Sequence, residues 1–165
     1  SEHIPACEKG FKDVMSKGPL AAFPMVGIKV TLNDGKYHDV DSSDLAYQLA
    51  ARTAMRDAVK KSSPVLMEPV MKVEVETPSD FQGSVIGDLS SRRGVVYGTE
   101  VNGDDTVINA GVPLGEMFGY ATQLRSLTSG KANYSMEFEK YNRCPAFVQE
   151  KVIKERAEKM REEQG

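Results

Sequence analysis

Between Val70 and Tyr141 the hydrophobic period switches back and forth, and the order of those switches restricts the fold more than any other feature. Val70 to Thr77 alternates, with Val73 and Val75 on one side and Lys72, Glu74 and Glu76 on the other, as a half-buried strand does. Gly83 to Arg93 carries Val85, Ile86 and Leu89 on one helical face and stops at Gly94. Val95 to Val101 and Thr106 to Val112 read as strands joined by a hairpin turn at Asn102-Gly103. Pro113 is expected to open a second helix, with Leu114, Met117, Phe118, Ala121, Leu124 and Thr128 on its apolar face and Gly130 at its end. Ala132 to Tyr141 alternates again, with Tyr134, Met136 and Phe138 on one face. The order β-α-β-β-α-β is the ferredoxin-like split unit, in which two helices cover one face of a four-stranded antiparallel sheet.

The preceding residues are less complete. Ile4, Cys7, Phe11, Val14 and Met15 predict a helix over 3–17, with Pro5 in its first turn and Gly18-Pro19 as its stop. Val26, Ile28, Val30 and Leu32 alternate with polar or small residues and predict a strand over 25–32. Asn33-Asp34-Gly35 then signals a tight turn, with a second strand over Tyr37 to Val40. Asp41-Ser42-Ser43 offers N-cap oxygens to a helix that runs to about Lys61, with Leu45, Leu49 and Thr53 along it. Pro64 to Met67 reads as a brief strand. Helix, hairpin, helix and strand do not close a sheet, so strands preceding Ser1 are expected to be missing. Glu68-Pro69, a stiff dipeptide, is the expected boundary, giving modules 1–68 and 69–145. Pro145 then introduces a helix over 146–165 whose thin stripe of Val148, Val152, Ile153 and Met160 is expected to pack on the body.

Composition narrows the function. Of 165 residues 40% are hydrophobic and 27% charged, the balance of an ordinary folded domain. No apolar run approaches the roughly 20 residues that span a bilayer. Two distant cysteines, Cys7 and Cys144, make neither a zinc site nor a disulfide framework, so a reducing cytoplasm is expected. The net charge of −3 is uneven. Residues 1–68 hold nine basic and nine acidic side chains, 69–145 seven and ten, 146–165 five and five. Any contact with RNA must therefore be a local patch on a mildly acidic body.

Catalytic constellations are absent from the sequence. It has no G-x-x-x-x-G-K-[ST] phosphate loop and no G-x-S-x-G elbow, and neither His3 nor His38 has metal-ligand spacing. No catalytic, cofactor or metal site is expected. Glu74 and Glu76, two apart on a strand, read as a solvated face. His38, beside a tight turn, is either an exposed turn residue or a tip that stacks on a base and donates to phosphate or ribose. Arg92 and Arg93 either complement the helix C-terminus or clamp phosphate. Arg125, with Ser126, Thr128 and Lys131, poses the same choice on the second helix. Both helices are expected to run parallel, which would bring the two basic clusters to one end.

The chain resembles the C-terminal part of bacterial elongation factor G. The resemblance rests on His3-Ile4-Pro5-Ala6, Gly18-Pro19-Leu20-Ala21, Tyr37-His38-Asp39-Val40-Asp41-Ser42-Ser43, Leu66-Met67-Glu68-Pro69-Val70-Met71-Lys72-Val73-Glu74-Val75, Val85-Ile86-Gly87-Asp88-Leu89 and Glu116-Met117-Phe118-Gly119-Tyr120-Ala121-Thr122. Ile4 to Val70 is similar to the second half of the family's fourth domain, and Met71 to about Pro145 to its fifth. The fold implied is α+β, a partial ribosomal-protein-S5-domain-2-like module followed by the ferredoxin-like domain and a C-terminal helix.

The resemblance further implies a role in GTP-driven movement of tRNA and mRNA through the ribosome. GTP and magnesium would belong to an N-terminal domain absent here. Lys36, Tyr37 and His38 would form part of a tip that meets the tRNA–mRNA duplex at the decoding site. Arg92, Arg93, Arg125 and Lys131 would contact ribosomal RNA or protein at the factor-binding centre of the large subunit. No membrane partner is expected, and the chain is expected to be a monomer. The family's recycling paralogues and the tetracycline-resistance factors share this architecture. A small-molecule-sensing ferredoxin-like domain is the rival from another class, and it would require a ligand pocket.

Overall fold

The computed structural model describes residues 2–165. Along the chain these form α1 (Ile4–Met15), α2 (Asp44–Lys61), β1 (Met67–Pro78), α3 (Gln82–Ser91), β2 (Val95–Asn102), β3 (Asp105–Pro113), α4 (Tyr120–Thr128), β4 (Asn133–Arg143) and α5 (Ala146–Glu162). They fall into two compact units, Met67–Cys144, and Ser1–Leu66 together with Pro145–Gly165.

In the unit Met67–Cys144 the four strands make one antiparallel sheet in the order β2-β3-β1-β4. That order, with a helix after β1 and another after β3, is the ferredoxin-like arrangement. The central strands carry the strictest alternation. Val73, Val75 and Thr77 of β1 face Ala110, Ile108 and Thr106 of β3 in register, and all six are fully buried. Val85 and Leu89 of α3 and Tyr120 and Leu124 of α4 close over them to form one core. On the other face Lys72, Glu74 and Glu76 are exposed.

Several boundaries differ from those expected, each for a local reason. Asn102 pairs with Asp105, so the hairpin turn is Gly103-Asp104, with Gly103 at φ +65. Pro113 ends β3, paired with Val70, rather than opening a helix. A 3-10 turn over Leu114–Glu116 follows, and α4 starts only after Gly119, whose φ of +70 cannot continue a right-handed helix. The expected stop at Gly94 is a Schellman motif with Arg93, not the glycine, in the left-handed position at φ +58. Arg93 N–H donates to Ser90 O at 3.1 Å and Gly94 N–H to Leu89 O at 2.9 Å. Glycine is needed at 94 for closeness: a Cβ there would lie 2.5 Å from Leu89 O and 3.0 Å from Val112 Cγ2. Glu68 and Pro69, the expected boundary, lie inside β1, where Pro69 pairs with Tyr141 of β4 and lies past the end of β3, whose last residue Pro113 pairs with Val70. With one neighbour only, the strand tolerates the missing proline donor.

In the other unit α1 packs on α2 through Cys7, Gly10 and Val14 against Ala51, Met55 and Val59. The helix expected to run to about Lys61 is present, and its buried face is Ala51, Met55 and Val59, while Leu45 and Leu49 are exposed. Ser43 caps α2, its hydroxyl accepting from Ala46 N–H at 3.1 Å. The expected hairpin over 25–40 is irregular: its alternation is real, but Val26, Val30 and Leu32 are exposed. A two-stranded hairpin is marginal alone, and among residues 2–66 no third strand pairs with it. Pro64 to Leu66 is not a strand either; Leu66 N–H donates instead to Gln149 of α5 at 3.0 Å. The expected stripe of α5 is present. Val148, Val152 and Ile153 are half-buried, Ile153 and Met160 line a small cleft with Gly18 to Ala22, and Arg156 lies over the Phe23 ring at 5.0 Å.

Candidate functional site

In the unit that holds α1 and α2, Lys36, Tyr37 and His38 are all exposed, on the loop that leads to α2. The loop is irregular yet tied down. His38 N–H donates to Ser42 Oγ at 2.8 Å and Ser42 N–H donates back to His38 O at 3.0 Å, closing a tight turn. Tyr47 of α2 donates its hydroxyl to Lys36 O at 2.7 Å. The ring of His3 stacks on Tyr47 at 4.4 Å and faces Tyr37 at 6.2 Å, while its Nδ1 lies 2.8 Å from Asp44 Oδ1. The backbone of this loop is therefore fixed from several sides. The His38 imidazole itself has no hydrogen-bond, ionic or ring partner among the described residues. His3 and Tyr47 are the organising residues that sequence reasoning missed. No local signal could have found them, because His3 and Asp44 are 41 positions apart.

The four basic residues of the other unit do not behave alike. Arg92 Nε donates to Asp88 at 3.1 Å, its Nη1 donates to the carbonyls of Glu116 at 2.7 Å and Phe118 at 3.0 Å, and its guanidinium lies 5.1 Å from the Tyr120 ring centre. Arg93 forms a two-pronged pair with Glu68, both bonds 2.8 Å, and adds Glu116 at 3.1 Å. Hydrogen bonding to Glu68, reinforced by Glu116, holds this guanidinium protonated far above its already high ordinary value, against the opposing effect of burial. The same environment reaches the groups around it. Burial pushes the Tyr120 phenol well up, with the charge of Asp88 adding to it, and burial also raises the Cys144 thiol. The planar guanidinium chemistry that singled out Arg92 and Arg93 is occupied by carboxylates and carbonyls of their own unit. Arg125 and Lys131, by contrast, are exposed and have no ionic partner among the described residues.

The expected convergence of the two clusters is not observed, because α3 and α4 run antiparallel. β1 and β3 are antiparallel, and each helix returns along the strand before it. The C-terminus of α3 consequently meets the N-terminus of α4, as Arg92 shows by reaching Glu116 and Phe118. Arg125 and Lys131 lie in and beyond the last turn of α4, toward the opposite end. Glu74 and Glu76 are exposed on the open sheet face, the solvated pair the sequence implied.

One unit thus holds an arginine pair engaged by its own carboxylates and carbonyls and an exposed basic helix edge, and the other unit an exposed loop histidine. Comparison with known proteins narrows the class. Residues 1–63 match the family model described as elongation factor G, domain IV, and residues 65–152 the model described as elongation factor G C-terminus. Elongation factor G of Aquifex pyrophilus is 56% identical over 94% of this chain and 22% of that protein. Elongation factor G 1 of Syntrophus aciditrophicus is 52% identical over 96% of this chain and 23% of that protein. A crystal structure from Thermus thermophilus superposes with a TM-score of 0.86 at 40% identity, over 96% of this chain and 24% of that one. The chain belongs to the elongation factor G family and corresponds to its C-terminal part. It spans less than a quarter of the length of the relatives it matches.

Proposed function

We propose that this chain is a ribosome-facing portion of a translocation factor, working in the cytoplasm as a rigid lever on RNA. GTP binding and hydrolysis, with magnesium, would lie in a domain outside these residues, and the chain itself would carry no catalysis. The reading is supported most by His38, whose imidazole has no partner among the described residues and stands on a turn whose backbone is bonded on both sides. A ring presented this way loses little freedom on stacking against a base or donating to a phosphate. Lys36 and Tyr37 flank it and complete the tip toward the tRNA–mRNA duplex. In the other unit Arg125 and Lys131 supply the phosphate contacts at the factor-binding centre of the large subunit. Arg92 and Arg93 act there indirectly, by fixing the junction of α3 with α4.

The test is a His38→Ala substitution in an elongation factor G that carries this C-terminal part. Translocation rate and ribosome-stimulated GTP hydrolysis are measured side by side. Slower translocation with hydrolysis near wild type is the expected outcome. Equal loss of both activities would overturn the division of roles between tip and GTPase.

A further inference from the structure

We infer that Asn102-Gly103 is a site of spontaneous covalent modification, where the folded chain converts its asparagine to aspartate and isoaspartate without an enzyme. The reaction needs the backbone nitrogen of the following residue to approach the asparagine side chain closely, and a Cβ on that residue obstructs it. Of the five asparagines in the sequence only Asn102 is followed by glycine. Asn109, Asn133 and Asn142 stand in β3 and β4 before Ala110, Tyr134 and Arg143, and Asn33 is followed by Asp34.

The register of the hairpin leaves the pair open to this chemistry. Asn102 is the last residue of β2, paired with Asp105, and Gly103 opens the two-residue turn at φ +65. Neither the Gly103 N–H nor the Asn102 side-chain amide has a hydrogen-bond partner among the described residues. Both residues are exposed, and a Cβ at 103 would meet nothing within 4 Å. β2 is an edge strand held by β3 alone. The attack therefore asks for fraying of one terminal pair, a local opening and not an unfolding of the unit.

The Gly103 nitrogen bonds to Asn102 Cγ and gives up its proton. The Cγ–Nδ2 bond breaks and ammonia leaves with that proton, closing a five-membered succinimide. Water then opens the ring. Addition at Cγ restores the backbone and leaves aspartate. Addition at the backbone carbonyl carbon breaks its bond to the Gly103 nitrogen, so the chain continues through Cγ as isoaspartate. Nothing is oxidised or reduced. The isoaspartate product lengthens the turn by one methylene, and either product adds a carboxylate beside Asp104 and Asp105. The carbonyl of Asp104 accepts from Ser79 N–H at 3.0 Å, and Ser79 Oγ lies 2.8 Å from Oγ1 of the buried Thr106. Isoaspartate at 102 should thus loosen the turn that leads into α3.

The experiment incubates this chain, folded, in mildly alkaline buffer, beside Asn102→Gln and a synthetic peptide of residues 99–106. Peptide mapping by mass and isoaspartate-specific methylation read the product. Conversion at Asn102 within about tenfold of the free peptide's rate is expected, slower in mildly acidic buffer and absent at that position in Asn102→Gln. Amide exchange at Ser79 should accelerate about three- to tenfold in the isoaspartate fraction, the loss of one hydrogen bond. A folded chain that stays intact while the peptide converts would overturn the inference, because the β2–β3 ladder would then protect the pair. Conversion that favours Asn33 over Asn102 would overturn it too. Unchanged exchange at Ser79 in the converted chain would overturn the structural consequence.

Discussion

Tyr97 and Glu139, on the two edge strands β2 and β4, meet across the open face of the sheet. The Tyr97 hydroxyl donates to Glu139 Oε2 at 2.8 Å, above Gly111 of β3. Each residue sits where its strand slips register. Tyr97 falls between the paired Val96 and Gly98, and Glu139 between the paired Phe138 and Lys140. The two irregularities re-aim the side chains so that they bridge four strands, which straight edge strands would not allow. Burial, then the hydrogen bond to Glu139, raises the Tyr97 phenol above its ordinary 10.0.

Gly111→Ala tests that bridge. A Cβ at 111 would lie 2.1 Å from the Tyr97 hydroxyl, so the ring must swing away from Glu139. Ultraviolet titration should show the phenol returning downward toward the ordinary value. The bridge's contribution is present below the free phenol's pKa and is lost as pH rises through the raised value. The stability gap between wild type and variant, about 1 kcal/mol near neutral pH, should therefore shrink at high pH. An unchanged phenol titration would show that the bridge does not form in solution.

Arg93 and Arg125 should separate stability from binding. Arg93→Ala leaves Glu68 without its two-pronged partner, at 14% side-chain exposure, and should cost about 1.5–3 kcal/mol in urea unfolding. Arg125→Ala, on an exposed helix face, should stay within about 0.5 kcal/mol. In ribosome binding at rising salt the order should reverse: Arg125→Ala lowers the salt slope by about one contact, while folded Arg93→Ala keeps it.

Gly94→Ala should be costly although the glycine is not in a left-handed conformation. The new methyl presses on backbone, Leu89 O, and on the buried Val112, so neither neighbour can yield cheaply. About 1–3 kcal/mol of lost stability is expected from thermal or urea unfolding. A cost near zero would mean that the Schellman motif loosens without penalty.

Tyr47→Phe removes only the hydroxyl that holds Lys36 O. Amide exchange over residues 36–39 should accelerate by about three- to tenfold, the loss of one ordinary hydrogen bond. The His3 stack on Tyr47 is retained in this variant, so exchange in α1 should not change.

Period and punctuation determined a good deal of this protein on their own. The alternation of Val73, Val75 and Thr77, the helical spacing of Val85 and Leu89, and the hairpin near Gly103 each depend on residues a few positions apart. Those intervals are set by backbone geometry. They were enough for the ferredoxin-like order and its one-sided core, and the half-buried stripe of α5 was legible for the same reason. The exposure of His38 beside a turn was legible too.

Pairing across distance was decided only in three dimensions. The alternation at Val26 to Leu32 asks for a sheet, yet no strand within residues 2–66 answers it, so the segment stays irregular. Arg92 and Arg93 look like free basic residues along the chain. Their partners Glu116 and Phe118 lie 23 to 26 positions away, and folding turns the pair inward. The opposite directions of β1 and β3 make α3 and α4 antiparallel, which carries Arg125 and Lys131 away from that pair. His3 reaches Tyr47 and Tyr37 because α1 packs on α2. A side chain's local spacing fixes which face it occupies, but whether that face meets a carboxylate, a ring or water depends on contacts that close only when the chain folds.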